Sequence, residues 1–399
     1  MSLKKPHQTF WSGYSAVALM VALSLIYLNL PVYAFALNKA LLPKYFYFGL
    51  IPILVPVLLL KPKTFLTYLV SPFPLWAFVV ILLNFIHILN PFNDSNMGVV
   101  DLVSTRIQVF VIAIFLGYIL SVTRTETYER LFPILVAFIS CAVILDFFSP
   151  GTLYPVGTEG SVLGRGAATF LNPTSAAEAM LIVFLMACTV VRMQYRMPLL
   201  MLTGIGIMVT FTRSGIIAWI FCWIFLLLKR LLPRSAVVFT FALLIAIPLL
   251  YGTFENYLSS RENSGESITN IQTRLEFFFN PNLQDDSAEE RVKVLKAGWD
   301  LFVKNPVSGA GAGVTNFWLY KAGTHNQLVM LAAEYGVLGI ALWASLAIIL
   351  WRGKYFENKS LQFAIFCLFI FMSMFTHNMF DSPYWLVTFA LMAGKRRRA

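Results

Sequence analysis

"TFTRSGIIAWIFCWIFLLLKR", running from Thr210 to Arg230, is the stretch on which the fold turns. No charged residue interrupts it between Arg213 and Lys229, and it lacks the period-two alternation of a lipid-facing barrel strand. As a helix rising 1.5 Å per residue it would cross most of a ~30 Å hydrocarbon core. On either side of it, runs of roughly twenty aliphatic and aromatic residues recur from one end of the chain to the other. The 399 residues are 58% hydrophobic and 12% charged, with 36 Phe and 9 Trp. The mean hydropathy of +0.74 excludes a soluble domain of this length, whose surface could not carry such a composition.

The expected fold is an all-α polytopic membrane protein of about twelve transmembrane helices, centred near residues 20, 52, 79, 112, 140, 182, 204, 221, 243, 338, 370 and 388. Residues 1–253 would hold helices 1–9, residues 254–323 a large outer loop, and residues 324–399 helices 10–12 and a basic tail. The first apolar stretch, from Trp11 to Leu30, lacks a small-residue cleavage pattern and reads as a retained helix. With the N-terminus in the cytoplasm, the inner segments collect eighteen of the 30 Lys and Arg residues and, of the 19 acids, only Glu126, Glu129 and Glu357. That asymmetry is a topology signal. It accounts for a pI near 9.5 without a nucleic-acid groove. Cys141, Cys188, Cys222 and Cys367 all fall inside expected spans and read as small buried hydrophobes, with no disulfide or metal pattern.

The long outer loop carries "DDSAEERVKVLKAGWDLFVKNP". Ser287 as N-cap, Glu290 three residues later, and Val292, Leu295, Trp299 and Phe302 at helical spacing predict an amphipathic helix with that apolar face buried, ended by Pro306. Gly309, Gly311 and Gly313 follow. With no preceding strand and no Lys-Ser/Thr after it, this run reads as a flexible turn and not as a phosphate cradle. Asp285, Asp286, Glu289 and Glu290 read as acids complementing a helix N-terminus; a divalent-metal site for a diphosphate is the weaker alternative, because ligand spacing with His is missing.

Polar residues gather at the outer ends of the expected spans: Arg165, Arg213, Arg291, His325, His377 and Asp381. A lone Arg there usually snorkels to the headgroups, and Arg291 beside Lys293 and Lys296 would serve a solvated helix face. Arg213 has almost no loop around it, which favours a site facing the bundle interior. Guanidiniums that converge repel one another, so their complement is a polyanion such as a diphosphate. His325 opens "THNQLVMLAAEYG"; structural histidines outnumber catalytic ones, yet a neutral imidazole near cations is a natural general base for a sugar hydroxyl. Asn172, His377 and Asp381 could line such a site or tie helix ends together.

"TFTRSG", "RVKVLKAGWDLFVKNPVSGAGAGVTNF" and "THNQLVMLAAEYGVLG" resemble, in order and spacing, the signature of the O-antigen ligase and polymerase superfamily, with the ligases the nearer match. The resemblance extends from about Arg165 to Asp381. It implies a multi-span glycosyltransferase of the bacterial inner membrane, with both termini cytoplasmic and its reaction at the periplasmic face. The implied donor is a glycan on undecaprenyl diphosphate and the implied acceptor a sugar of the lipid A-core oligosaccharide, with neither nucleotide nor metal as cofactor. By motif the essential arginines fall on Arg213 and Arg291 and the essential histidine on His325. Arg165 matches a looser basic position, and Asn172, Asn326, His377 and Asp381 are the further expected substrate contacts. A polymerase or a protein O-glycosylating enzyme would share the donor. A transporter of lipid-linked saccharide is the reading from another class, disfavoured because the polar groups cluster at one face and no repeat is evident.

Overall fold

The structure, a computed structural model, describes residues 6–89, 97–233, 235–238, 286–320 and 322–395. The span expected near residue 243, Asp285 and most of the outer loop lie outside the described residues. In chain order the helices are α1 (Pro6–Tyr27), α2 (Leu30–Leu37), α3 (Pro43–Leu59), α4 (Pro62–Leu69), α5 (Pro72–Leu89), α6 (Met97–Val122), α7 (Thr125–Glu129) and α8 (Leu131–Phe148). They continue as α9 (Pro173–Ala187), α10 (Met193–Met208), α11 (Arg213–Leu228), α12 (Asp286–Lys304), α13 (Gln327–Tyr335), α14 (Val337–Arg352), α15 (Lys359–Met372) and α16 (Pro383–Ala393). No strand occurs among the described residues; Lys354 and Lys395 form one isolated parallel bridge.

This is the helical architecture expected of a membrane protein. Pro72–Leu89, Gly98–Val122 and Thr125–Phe148 are each long and apolar enough to cross a bilayer. Gly13–Tyr27 with Leu30–Leu37, bent by 59°, and Pro43–Leu59 with Pro62–Leu69, bent by 110°, qualify as pairs. The breaks have local causes. Asn29 takes a left-handed φ of 53° ahead of Pro31, and Lys61 is out of the helical region ahead of Pro62, where proline's fixed φ starts a helix more readily than it continues one. Five more apolar helices (α9, α11, α14, α15 and α16) are shorter than a full span.

The chain forms two compact units, residues 1–129 with 286–399, and residues 130–285. In the first, α6 packs against α3, α5 and α16, while α13 packs against α12 and α14. Trp76 of α5 joins this core by donating from Nε1 to the Leu342 carbonyl (2.9 Å) and by setting its ring edge-on to Phe380 (5.2 Å, 90°). In the second unit α9 is the axis: residues 176–188 are all buried, against α8, α10 and α11. Lipid tails are as apolar as leucine, so close approach at small residues holds such helices together. Gly215 faces the Ala177 methyl, and Gly204 leaves room for the Trp219 ring, whose Nε1 donates to the Leu200 carbonyl (3.0 Å).

Two sequence expectations need correcting. The α12 helix exists, starting at Asp286 one residue before the expected cap, but its buried face is Val294 and Gly298. Gly298 lies so close to Thr324 and Val329 that a Cβ there would stand 2.9 Å from each. Val292 (65% exposed) and Trp299 (50%) point outward, because the close contact requires a glycine and the apolar pattern marked the opposite side. Cys141 is also exposed on α8 and not buried, whereas Cys188 and Cys222 are buried as expected.

Candidate functional site

His325 is set by the way α13 begins. Its backbone takes a left-handed φ of 49°, a conformation that costs a non-glycine residue of order 1 kcal/mol or more. Asn326 then turns extended and caps α13, its Oδ1 accepting from Val329 N (3.0 Å). The next residue, Gln327, is fully buried and ties α13 to the turn between α15 and α16. Its N–H donates to the Ser373 carbonyl (2.7 Å) and its Oε1 accepts from Met379 N (2.9 Å). That turn carries His377 and Asp381.

The two histidine rings therefore meet, edge to face, with centroids 5.4 Å apart and planes at 86°. Gly323 lies against the His377 imidazole so closely that any Cβ would run into the ring. Burial, and next the charge of Arg291 on α12, push His325 down to about 4. Burial, with His325 as the next cause, likewise pushes His377 down to about 4, against an upward pull from Asp381. Both imidazoles are thus neutral at pH 7, with a lone pair to offer. Arg291 itself is solvent-exposed, and its i, i+3, i+7 spacing places it on the side of α12 that carries Val294 and Gly298.

Beneath this pair is a charge cluster that the sequence reading missed. Arg106 of α6 is 2% exposed. Its Nε and Nη2 donate to Asp381 Oδ1 and Oδ2 (2.6 and 3.2 Å), and Nη1 donates to Glu334 Oε2 (2.7 Å) and the Tyr335 hydroxyl (2.8 Å). The Tyr335 hydroxyl donates in turn to Asn84 Oδ1 (2.9 Å), Thr315 donates to Glu334 Oε1 (3.2 Å), and His87 stacks on Tyr335 at 5.3 Å while accepting from Ala312 N (2.8 Å). A guanidinium deep in an apolar helix was the signal: the argument applied to Arg213 applies equally to Arg106.

The glycine run is not a flexible turn. Gly309, Gly311 and Gly313 all have positive φ, and the segment docks on the end of α13, where Ala310 N donates to the Ala333 carbonyl (2.7 Å) and Gly311 N to the Glu334 carbonyl (3.2 Å). A Cβ at Gly309 would strike the Glu334 backbone. The run closes the helix end and supplies no cradle for phosphate.

The remaining expected residues lie in the second unit. Asn172 caps α9, its Oδ1 accepting from Thr174 N (2.8 Å). Arg213 is the first residue of α11 and half-buried, preceded by Phe211 with a left-handed φ of 50° and by Thr212 as extended cap. Arg165 holds that corner: its Nε donates to the Thr210 carbonyl (2.6 Å) and its Nη2 to Thr212 Oγ1 (2.9 Å). Asp146 Oδ2 fixes the following backbone by accepting from Tyr154, Ala167 N and Ala168 N (2.8–2.9 Å). Arg165 is therefore engaged in shaping the start of α11, and Asn172 the start of α9.

An all-helical membrane protein that holds neutral histidines beside an exposed arginine has the equipment for acid–base chemistry on an anionic substrate. Residues 198–344 match the sequence model of the O-Antigen ligase family, consistent with the O-antigen ligase superfamily and with glycosyltransferase activity of its ligase or polymerase kind. The match takes in Arg213, Arg291, His325 and Asn326 and leaves Arg106, Arg165, Asn172, His377 and Asp381 outside it. No curated protein matches the chain.

Proposed function

We propose that the protein is an O-antigen ligase of the bacterial inner membrane. It transfers a glycan from undecaprenyl diphosphate to a hydroxyl of the lipid A-core oligosaccharide at the periplasmic face. The observation that carries this reading is the juxtaposition of neutral His325 with the Arg291 charge, inside the matched region. In this account the acceptor oxygen attacks the anomeric carbon, its proton goes to His325, and the bond from that carbon to the diphosphate oxygen breaks with inversion. About one further negative charge develops on the leaving diphosphate. Arg291 stabilises it. A guanidinium fork matches phosphate oxygens, so this residue would do what a metal ion does elsewhere. A twelve-span chain with both termini cytoplasmic fits the distribution of Lys and Arg.

The test is reconstitution of the purified protein with lipid-linked glycan and lipid A-core in the presence of a chelator. Glycan on the core is the expected product. Elongated donor with unmodified core would identify a polymerase, and dependence on added divalent metal would remove the metal-free mechanism.

A further inference from the structure

We propose that α4 is a binding site for anionic phospholipid, lying along the membrane face with Lys61 and Lys63 on the lipid phosphate and its exposed apolar side toward the acyl chains. The inference does not depend on the transfer reaction. Between α3 and α5, both strongly apolar, the chain turns by 110° into α4, so α4 runs nearly across the direction of α3. Lys61, Lys63, Thr64 and Thr67 within seven residues exclude this segment from the hydrocarbon interior, and the bend therefore lays it at the boundary and not back through the bilayer. The helix is docked on α6. Tyr118 donates from its hydroxyl to the Lys61 carbonyl (3.2 Å), and the rings of Phe65 and Tyr68 lie 5.0 and 5.7 Å from the Tyr118 ring. The Tyr68 hydroxyl fills the space that Gly117 leaves open, where any Cβ would collide with it.

With Phe65 and Tyr68 spent on α6, the rest of α4 is exposed and divides into two sides. Leu66 and Val70, four residues apart, are 62% and 67% exposed and share one of them. Lys63 and Thr67, also four apart, take the other with Thr64, and together with Tyr68 they line an open groove of about 380 Å³. Among the described residues no carboxylate pairs with Lys61 or Lys63. A helix divided in this way suits the headgroup boundary, where its apolar side sinks toward the acyl chains and its lysines meet phosphate. A free anion would satisfy the lysines and leave Leu66 and Val70 in water. A neutral lipid would cover the apolar side and leave the lysines without a counter-charge. Anionic phospholipid answers both sides at once, and two lysines at a charged lipid surface are together sufficient for a preference of about 30-fold.

The experiment measures binding of phosphatidylglycerol and of phosphatidylcholine to the full chain in neutral detergent, by native mass spectrometry, with inorganic phosphate as competitor. The wild-type protein should favour phosphatidylglycerol by about 30-fold. The double variant Lys61→Gln, Lys63→Gln should lose that preference while keeping its phosphatidylcholine binding and its lipid-free thermal midpoint. The double variant Lys229→Gln, Arg230→Gln, which removes the same charge elsewhere, should keep the preference. Leu66→Ser with Val70→Ser should weaken both lipids together. An intact preference without Lys61 and Lys63 would overturn the proposal, as would an equal loss in the Lys229 and Arg230 variant, which would make overall charge the cause. Displacement of phosphatidylglycerol by millimolar inorganic phosphate would identify a free anion as the ligand and overturn the assignment to lipid.

Discussion

The Arg106 cluster and the histidine pair sit on the same elements of the first unit yet are built on opposite principles. Arg106 is held by four hydrogen bonds to Asp381, Glu334 and Tyr335 with almost no solvent contact. His325 and His377 are positioned just as firmly by their backbone, and His377 Nδ1 makes no hydrogen bond among the described residues. A buried group with every partner in place stabilises an arrangement and does little else, because changing its protonation would strand its neighbours. A group held in place with its bonding incomplete can take up a proton. In the proposed account the first region is the scaffold and the second carries the chemistry.

The largest effect that would break this contrast comes from Arg106→Leu. It leaves Glu334 fully buried and Asp381 partly buried without their cation, a loss of about 3–5 kcal/mol, so the folded protein in detergent should melt much lower or fail to accumulate. An unchanged midpoint would mean that the cluster is not structural. Removal of the Arg291 charge is expected to act on chemistry and not on folding: Arg291→Gln, exposed on α12, should keep its midpoint while kcat/KM falls about 100-fold.

The pH dependence sharpens the point. His325 must be neutral to act as base, and its value in the folded protein lies near 4, so kcat/KM should hold through pH 6 and fall only toward pH 4. In Arg291→Gln the acid limb should move upward, remaining below 6.5 because burial, the larger cause, is still present. The same depression makes folding more favourable above pH 6.5, an advantage lost as pH falls toward 4 while the unfolded chain takes up the proton first. The smallest effect concerns the caps: Asn172→Ala removes the Oδ1 contacts at α9 and should lower stability by about 1 kcal/mol.

The helical membrane class was legible because apolar runs such as Ile216–Leu228 admit few alternatives. The turns bearing His325 and Arg213 were legible as motifs, while the left-handed residue at each helix start was not, since Phe211 does not favour such a φ and a single His, though it adopts one more readily, does not by itself mark it. The buried face of α12 was misread for a physical reason. On a helix beside a membrane, an outward Val292 or Trp299 looks like core, while the true contact at Gly298 has no side chain to register in a pattern. Arg106 was within reach, as a charge inside an apolar helix. Its pairing with Asp381 and Glu334, more than two hundred residues away, required the fold.

The account stands or falls on His325 as a neutral base. The direct measurement is glycan transfer by purified His325→Gln in the same vesicles as the wild-type protein, with binding of lipid-linked donor followed in parallel. Transfer should be lost while donor binding and the thermal midpoint persist; transfer at the wild-type rate would contradict the account.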